Sequence, residues 1–407
     1  MNTAGGDGSW RWRTYPLAVL GAVLASLILV VISSGGRDSL TGGLGGDFVE
    51  FYAAGEIVLD GDGTELHDLD RQVEAQAPHW DEPGSVILFA YPPAVAALYV
   101  PLALVDFRLA YLIHTLAMVA ALAGALVLLR GLVPLLDDPR IRLAALAASI
   151  TFLPMFFGVA LGQNTALVLL GGVATWWGLH HRRDLIAGLA LGLLVLKPQY
   201  GVPILGLVVL ARRWGAVAVA VATTVGLWII SAIISGVGWT GPWIDLVRSL
   251  SEVDQGVNLH NEVSWLGLAE VAFGAGSGVA LAIWVVLGGL TVAGLLWRLW
   301  QRPVLDHLTV ALVIPTVLLV APHALYYDAG LLLVSVGALV TTLDQRHRAP
   351  VLALWWLAGL GHIAASSLGV QPVALLVIAT WGWAWVATRA ADEEVRSRRP
   401  HRAAATG

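Results

Sequence analysis

RWRTYPLAVLGAVLASLILVVISSGGR, residues 11–37, sets the frame for the rest of the chain. Arg11 and Arg13 precede an unbroken run of apolar and small residues, and a run of ~20 such residues is what a helix needs to cross a bilayer. No A-x-A-like cleavage site follows closely, so the segment reads as an uncleaved first helix with the preceding residues in the cytoplasm. Outward from it the pattern repeats: long apolar runs separated by short arginine-bearing breaks, without the alternation a barrel strand would show. With 57% hydrophobic and 13% charged residues and a mean hydropathy of +0.77, the 407 residues carry too little polar surface to wrap a water-soluble globule. The expectation is an all-α polytopic membrane protein. The chain has no cysteine, which excludes a disulfide framework and any thiolate metal or redox site.

Spans are expected at about 15–33, 107–129, 141–159, 164–180, 184–198, 200–211, 215–236, 277–299, 304–321, 324–343, 350–368 and 372–390, about twelve in all. They form one transmembrane domain, 15–390, between a cytoplasmic N-terminal segment, 1–14, and a cytoplasmic basic tail, 391–407. If the chain alternates across the membrane from Arg13, the inner segments collect nearly all the arginine. Only Arg37, Arg71, Arg108, Lys197 and Arg248 remain outside, along with most of the acids, as the positive-inside rule requires. The pair 184–198 and 200–211, broken at LKPQYG by Pro198 and Gly201, also reads as a re-entrant hairpin. Two outer loops are large, about 35–106 and 237–276. The first holds FAYPPAVAALYVPLALVD, whose Pro92, Pro93 and Pro101 suit a helix lying in the interface. The second holds Trp265, Leu266, Leu268 and Val271 on another short interfacial helix. The RSRRPHR tail is an inner-leaflet anchor, and no basic stripe of the nucleic-acid type occurs.

The polar residues at span ends crowd the outer face: Asp47 and Glu50, Tyr91, Gln163 and Asn164, Lys197 and Gln199, His260 and Asn261 in NLHNE, and His323, Tyr327 and Asp328 in PHALYYD. Such groups cost free energy at the hydrocarbon edge unless they pair or line a wet cavity, so their convergence predicts one pocket at the outer leaflet. Each also has a plainer reading. Asp47 suits an N-cap of the helix FVEFYAAGEIVL. Lys197, the chain's one lysine, suits a snorkelling interfacial anchor. Gln163 and Asn164 suit a turn, and His323 a structural partner in a helix break. His67, Asp68, Asp70, His79, His260 and Glu262 have no metal-ligand spacing, and LDGDGTELHDLD reads as a solvated acidic loop rather than a calcium site.

Taken together and in order, GGDFVEFYAAGEIVLDGDGTELHD, FAYPPAVAALYVPLALV, LGQNTALVLL, AGLALGLLVLKPQ, NEVSWLGL and PHALYYDAGLLL resemble glycosyltransferase family 87, over roughly residues 45–335. The resemblance implies a C-type membrane fold with its active site at the outer face. It further implies a polyprenol-phosphate-mannose donor, a cell-envelope glycolipid or glycan acceptor, membrane lipid around both, and an aspartate base for which Asp47 is the matching position. NLHNEVS departs from the asparagine-glutamine-serine form of many relatives, which bears on acceptor contacts. A single displacement at the anomeric carbon inverts it and needs one carboxylate to accept the acceptor's proton. The phosphate leaving group needs charge stabilisation, so no metal or other cofactor is expected. Lys197, His323 and Arg108 are the candidate phosphate contacts. Glu50, Tyr91, Gln163, Asn164, Gln199, His260, Asn261 and Tyr327 are the candidate pocket residues. A transporter or flippase shares the span count but places ionisable groups in mid-span between repeats, and an inactive assembly partner is a third reading.

Overall fold

The computed structural model describes residues 45–80, 85–301, 304–365 and 371–403; the first expected span, 15–33, lies outside them. Among the described residues the chain is helical, with one isolated antiparallel bridge, Glu262 to Leu325, and no strand. It divides into two compact units, one comprising the chain up to Arg130 with Leu136–Val257, the other Gly131–Leu135 with everything from Asn258 onward.

The first unit contains α1 (Phe48–Leu59), α2 (Leu69–Gln76), α3 (Pro93–Ala103), α4 (Phe107–Leu128), α5 (Pro139–Thr151), α6 (Leu153–Ala160), α7 (Thr165–His180), α8 (Asp184–Leu194), α9 (Pro198–Leu210), α10 (Trp214–Ser235) and α11 (Thr240–Val257). Their starts follow ordinary capping chemistry. The Asp68, Asp106 and Asp138 carboxylates accept from the backbone N–H of Arg71, Leu109 and Arg140, and Pro139 opens α5 where its missing donor costs nothing. The interface helix expected across FAYPPAVAALYVPLALVD is α3, which keeps Pro101 inside it and buries Pro93–Ala96 and Tyr99. It packs on α1 so closely that a Cβ on Gly55 would lie 2.8 Å from the Tyr99 carbonyl oxygen. On α8, Gly188 and Gly192 lie one turn apart against α10; added Cβ atoms there would meet the Ala216 and Ala220 carbonyl oxygens at 2.6 and 2.9 Å. Backbones meet this closely where small residues recur at four-residue spacing, the usual device for helix association in lipid.

The second unit contains α12 (Trp265–Phe273), α13 (Gly278–Gln301), α14 (His307–Val320), α15 (Leu332–Leu339), α16 (Gln345–Ala365) and α17 (Pro372–Ala403). Asp306 caps α14 by accepting from the Thr309 N–H at 2.9 Å, and Ser264 caps α12 by accepting from the Gly267 N–H at 3.1 Å. Arg298, counted at sequence level as an inner-face charge, is instead buried at 1% exposure, its Nε 3.2 Å from Asp392 of α17.

Four stretches are long and apolar enough to cross a membrane: Phe107–Leu128, Trp214–Ser235, Gly278–Gln301 and Pro372–Glu393. A fifth arises if α5 and α6, bent by 70° at Phe152, form one broken crossing. The chain is thus an all-helical, multi-pass membrane protein. Most of the other expected spans coincide with shorter apolar helices, of which α7 is 16 residues and α8 only 11; at ~1.5 Å per residue α7 reaches about 24 Å. α16 is 21 residues long with Pro350 inside it. Three features differ from the sequence-level reading. Segment 240–257 is a helix, α11, rather than loop. Within the expected basic tail 391–407, the helix α17 continues through Ala403, a structure the sequence reading did not assign. The acidic run 59–70 is folded into a short 3-10 turn at Gly63–Glu65 and the start of α2, with Arg71 bridging Asp60 and Asp62 at 3.1 and 3.0 Å.

Candidate functional site

Asp47 sits at the N-cap of α1, but its backbone is αR and its side chain makes no capping bond. The carboxylate turns away from its own helix and accepts from Gln163 Nε2 at 2.7 Å, 116 residues on. Turn geometry makes this meeting possible. Gly162 has φ +79°, and a Cβ there would lie 2.3 Å from that of Phe48, so the turn between α6 and α7 lies directly on the start of α1. The Phe48 N–H donates to the Leu161 carbonyl at 2.9 Å, and the Tyr111 hydroxyl of α4 to the Ala160 carbonyl at 2.6 Å. Gln163 and Asn164 therefore do form a turn, as the plainer reading had it. That turn is nonetheless buried: Gln163 is 3% exposed, and the Asn164 Oδ1 is shut off from solvent without a hydrogen-bond partner.

Lys197 joins from a third element. It follows α8, is only 6% exposed, and its Nζ donates to Gln163 Oε1 at 3.4 Å while lying 5.9 Å from the centre of the Tyr91 ring. A snorkelling anchor would put its ammonium in water, so the anchor reading is overturned: the close α8–α10 contact and the break at 195–197 turn the chain's one lysine inward. Gly201 tightens that break, since a Cβ there would sit 2.7 Å from the Leu194 carbonyl. Glu50, one turn beyond Asp47, is 4% exposed and hydrogen-bonds the same Gln163 side chain. Burial first, and the Asp47 charge second, push the Glu50 carboxyl well above the usual carboxylate range, against the lowering pull of Lys197 and Gln163. Beneath these groups lies an aromatic floor. Phe51 stacks on Tyr99 at 4.9 Å and meets Tyr91 at 5.1 Å, while Phe48 meets His114 of α4 at 5.1 Å. His67, 9% exposed, donates from Nε2 to the Tyr91 carbonyl at 2.9 Å and so steadies the YPP turn.

The second unit carries a different constellation. His323 Nδ1 lies 3.2 Å from Glu262 Oε1, with the His323 side chain 38% exposed and that of Glu262 11%. Backbone pairing sets this up: Val263 N–H donates to the Ala324 carbonyl at 2.8 Å, and Glu262 bridges Leu325. The Gln371 amide donates to the carbonyls of Leu259 and Glu262 at 3.0 and 2.9 Å. Ser264 Oγ donates to Glu262 Oε2 at 3.4 Å, and the Leu325 N–H donates to Asp328 Oδ2 at 3.2 Å.

Of the sequence-level candidates, Asp47, Glu50, Tyr91, Gln163 and Lys197 come together in the first unit, with Asn164 next to Gln163 in the same turn. His323 belongs to the second, where its partner is Glu262 of the NLHNE cluster, a residue without metal-ligand spacing. Tyr327 is buried there, its ring 5.6 Å from that of Tyr326. His260 is exposed, and Asn261 donates to Asn258 Oδ1 at 3.2 Å. Arg108 is exposed in the first turn of α4 and Gln199 is half-buried at the start of α9; among the described residues no hydrogen bond or ion pair joins either to the Asp47 group. No group of three or more His, Asp or Glu side chains able to hold a metal ion occurs among the described residues. His67, His114 and Glu262 were missed as contributors, since each takes its place through contacts with residues distant in the chain.

The sequence profile of glycosyltransferase family 87 matches residues 89–322, more than half of the chain. The chain belongs to glycosyltransferase family 87. The match includes Tyr91, Gln163, Lys197 and Glu262; Asp47 precedes it and His323 follows it by one residue. Among curated proteins, this family member is 30% identical over 265 residues to the polyprenol-phosphate-mannose-dependent alpha-(1-2)-phosphatidylinositol pentamannoside mannosyltransferase of Mycolicibacterium smegmatis. That alignment covers 62% of this chain and 60% of the relative's length. No solved structure matches the chain.

Proposed function

We propose that this protein is a glycosyltransferase that moves a mannosyl, or another hexosyl, residue from a polyprenyl-phosphate donor to a glycolipid or glycan acceptor of the cell envelope. The reaction takes place at the outer face of the cytoplasmic membrane, with both termini cytoplasmic and the shorter apolar helices completing about twelve crossings. The observation that carries this reading is a carboxylate, Asp47, turned from its capping role to a buried amide that a buried lysine also contacts, in a chain of this family. Asp47 is the general base: it accepts the acceptor hydroxyl proton as that oxygen bonds to the anomeric carbon. The bond to the donor phosphate breaks on the opposite face, which inverts the centre, and the lipid phosphate leaves with the electron pair. Lys197, through its ammonium, stabilises the charge growing on that phosphate. One base and cationic donors suffice for this chemistry, so no metal is needed.

The same groups sit beside aromatic and apolar walls, which suits a substrate whose sugar and phosphate stand at the interface while its chain stays in hydrocarbon. Radiolabelled polyprenol-phosphate-mannose supplied to membranes with and without the protein tests the reading. A glycolipid that gains label only with the protein is expected; identical labelling in both membranes refutes it.

A further inference from the structure

At the other end of α8 from Lys197, two turns of the same design come together. Residues 181–183 join α7 to α8, and residues 211–213 join α9 to α10. Both preceding helices close alike. The Arg182 and Arg183 N–H groups donate to the Leu179 and Gly178 carbonyls at 3.3 and 2.7 Å, and the Arg212 and Arg213 N–H groups to the Val209 and Val208 carbonyls at 2.9 and 3.2 Å. This paired closure needs one residue in the left-handed region, a place glycine ordinarily takes because it has no Cβ. Here Arg182 and Arg212 take it, with φ +57° and +55°; among the described residues no other non-glycine residue has a positive φ.

The two turns are held against each other. Asp184, the first residue of α8, forms an ion pair with Arg213, whose Nη1 also donates to the Leu179 carbonyl at 2.7 Å. Further along, Gly188 and Gly192 lie against Ala216 and Ala220 in the same order, so α8 and α10 run parallel with their starts side by side. Asp184 is thus engaged by Arg213, while the Arg182, Arg183 and Arg212 side chains are exposed and, among the described residues, in no ion pair or side-chain hydrogen bond. Exposed apolar side chains flank them, Leu185, Leu210 and Trp214. Trp214 also opens α10, a helix long and apolar enough to cross a membrane, which sets the arginines at headgroup level. Cations past a helix C-terminus suit its dipole, and arginines suit an inner loop, but neither reason requires an arginine at the one residue of each turn where glycine would be unstrained.

We propose that Arg182 and Arg212, with Arg183 beside them, bind the phosphate of an anionic phospholipid on the membrane face opposite the Asp47 group, its acyl chains lying against Leu185, Leu210 and Trp214. Guanidinium forks match phosphate oxygens in pairs, and the neighbouring apolar surface separates a lipid phosphate from a free one. The inference does not depend on the transferase reading.

The test follows thermal unfolding of the full chain in neutral detergent while phosphatidylglycerol or phosphatidylcholine is added. Phosphatidylglycerol is expected to raise the midpoint saturably and phosphatidylcholine to leave it unchanged. R182G/R212G removes both charges and suits the left-handed turns, so its midpoint without lipid should not fall, while its affinity for phosphatidylglycerol should drop by about 25-fold, ~fivefold for each arginine. R182Q/R212Q, which keeps side chains in both turns, should lose the response likewise, and R182K/R212K should retain it. A phosphatidylglycerol shift of unchanged size in the glycine or glutamine variant, or an equal shift from both lipids, overturns the proposal. Inorganic phosphate that reproduces the shift at the same phosphorus concentration overturns it too, since the turns would then bind a free anion rather than a membrane lipid.

Discussion

Around Asp47, side chains from three segments far apart in sequence, those of Asp47, Gln163 and Lys197, are linked by hydrogen bonds, whereas Glu262 owes its place to backbone pairing between two short segments and its own cap serine. In the first arrangement Glu50, Gln163 and Lys197 are buried and Asp47 is partly so, which strengthens the interactions among their charges. The second leaves His323 more than a third exposed, where water screens the pair and its imidazole keeps access to a ligand. A buried group concentrates electrostatic effect in a few atoms and makes each of them hard to replace. A half-exposed pair is tolerant of change and serves to orient. The two regions should therefore respond very differently to equally small substitutions.

The largest expected effect is that of D47N, which preserves shape and removes basicity. Turnover should fall by roughly 10²–10⁴-fold, the range of a positioned general base, with membrane insertion unchanged; label transfer to glycolipid measures it, and near-normal turnover would end the base assignment. K197M comes next. Removing the ammonium from beside the buried Glu50 carboxyl and the Gln163 amide should raise the donor KM about 10–100-fold, about 1.4–2.8 kcal/mol, read from donor dependence of the rate in detergent. An unchanged donor dependence would make Lys197 a packing residue and erase the contrast between the regions. E262Q should do less, because the pair it weakens is partly solvated: a loss of about 1 kcal/mol in thermal stability, with kcat preserved. An effect of E262Q as large as that of D47N would mean that the second region is as tightly coupled as the first. Smallest is R71A. Its partners Asp60 and Asp62 are 59% and 45% exposed, so loss of these ion pairs should change thermal stability by under about 1 kcal/mol and leave transfer at its usual rate.

How much was legible beforehand varies with the distance over which each feature is decided. The helices α4, α10 and α13 follow directly from apolar runs, because in a bilayer the backbone must satisfy its own hydrogen bonds and a long enough run leaves only a helix. Asp47, Tyr91, Gln163 and Lys197 were legible as candidates, since polar groups at the ends of such runs are costly without a purpose. Their partners were not. Nothing local to LGQN reveals that Gly162 lets its turn rest on Phe48, or that Gln163 stands between Asp47 and Lys197. Nothing local to LKPQ distinguishes a snorkelling lysine from a buried one. Glu262 could not be paired with its histidine partner, which lies 61 residues away.

What the amino-acid order determined alone was the solvent: hydropathy in runs of membrane length commits this chain to helices in lipid, since each residue's transfer free energy is its own and simply accumulates along the run. Which amide the Asp47 carboxylate meets, whether the lysine turns inward and which histidine gains an acid partner were decided only by the packed structure. Those properties depend on contacts between residues 34 to 116 positions apart and on the exclusion of water from between them, and no local pattern encodes either.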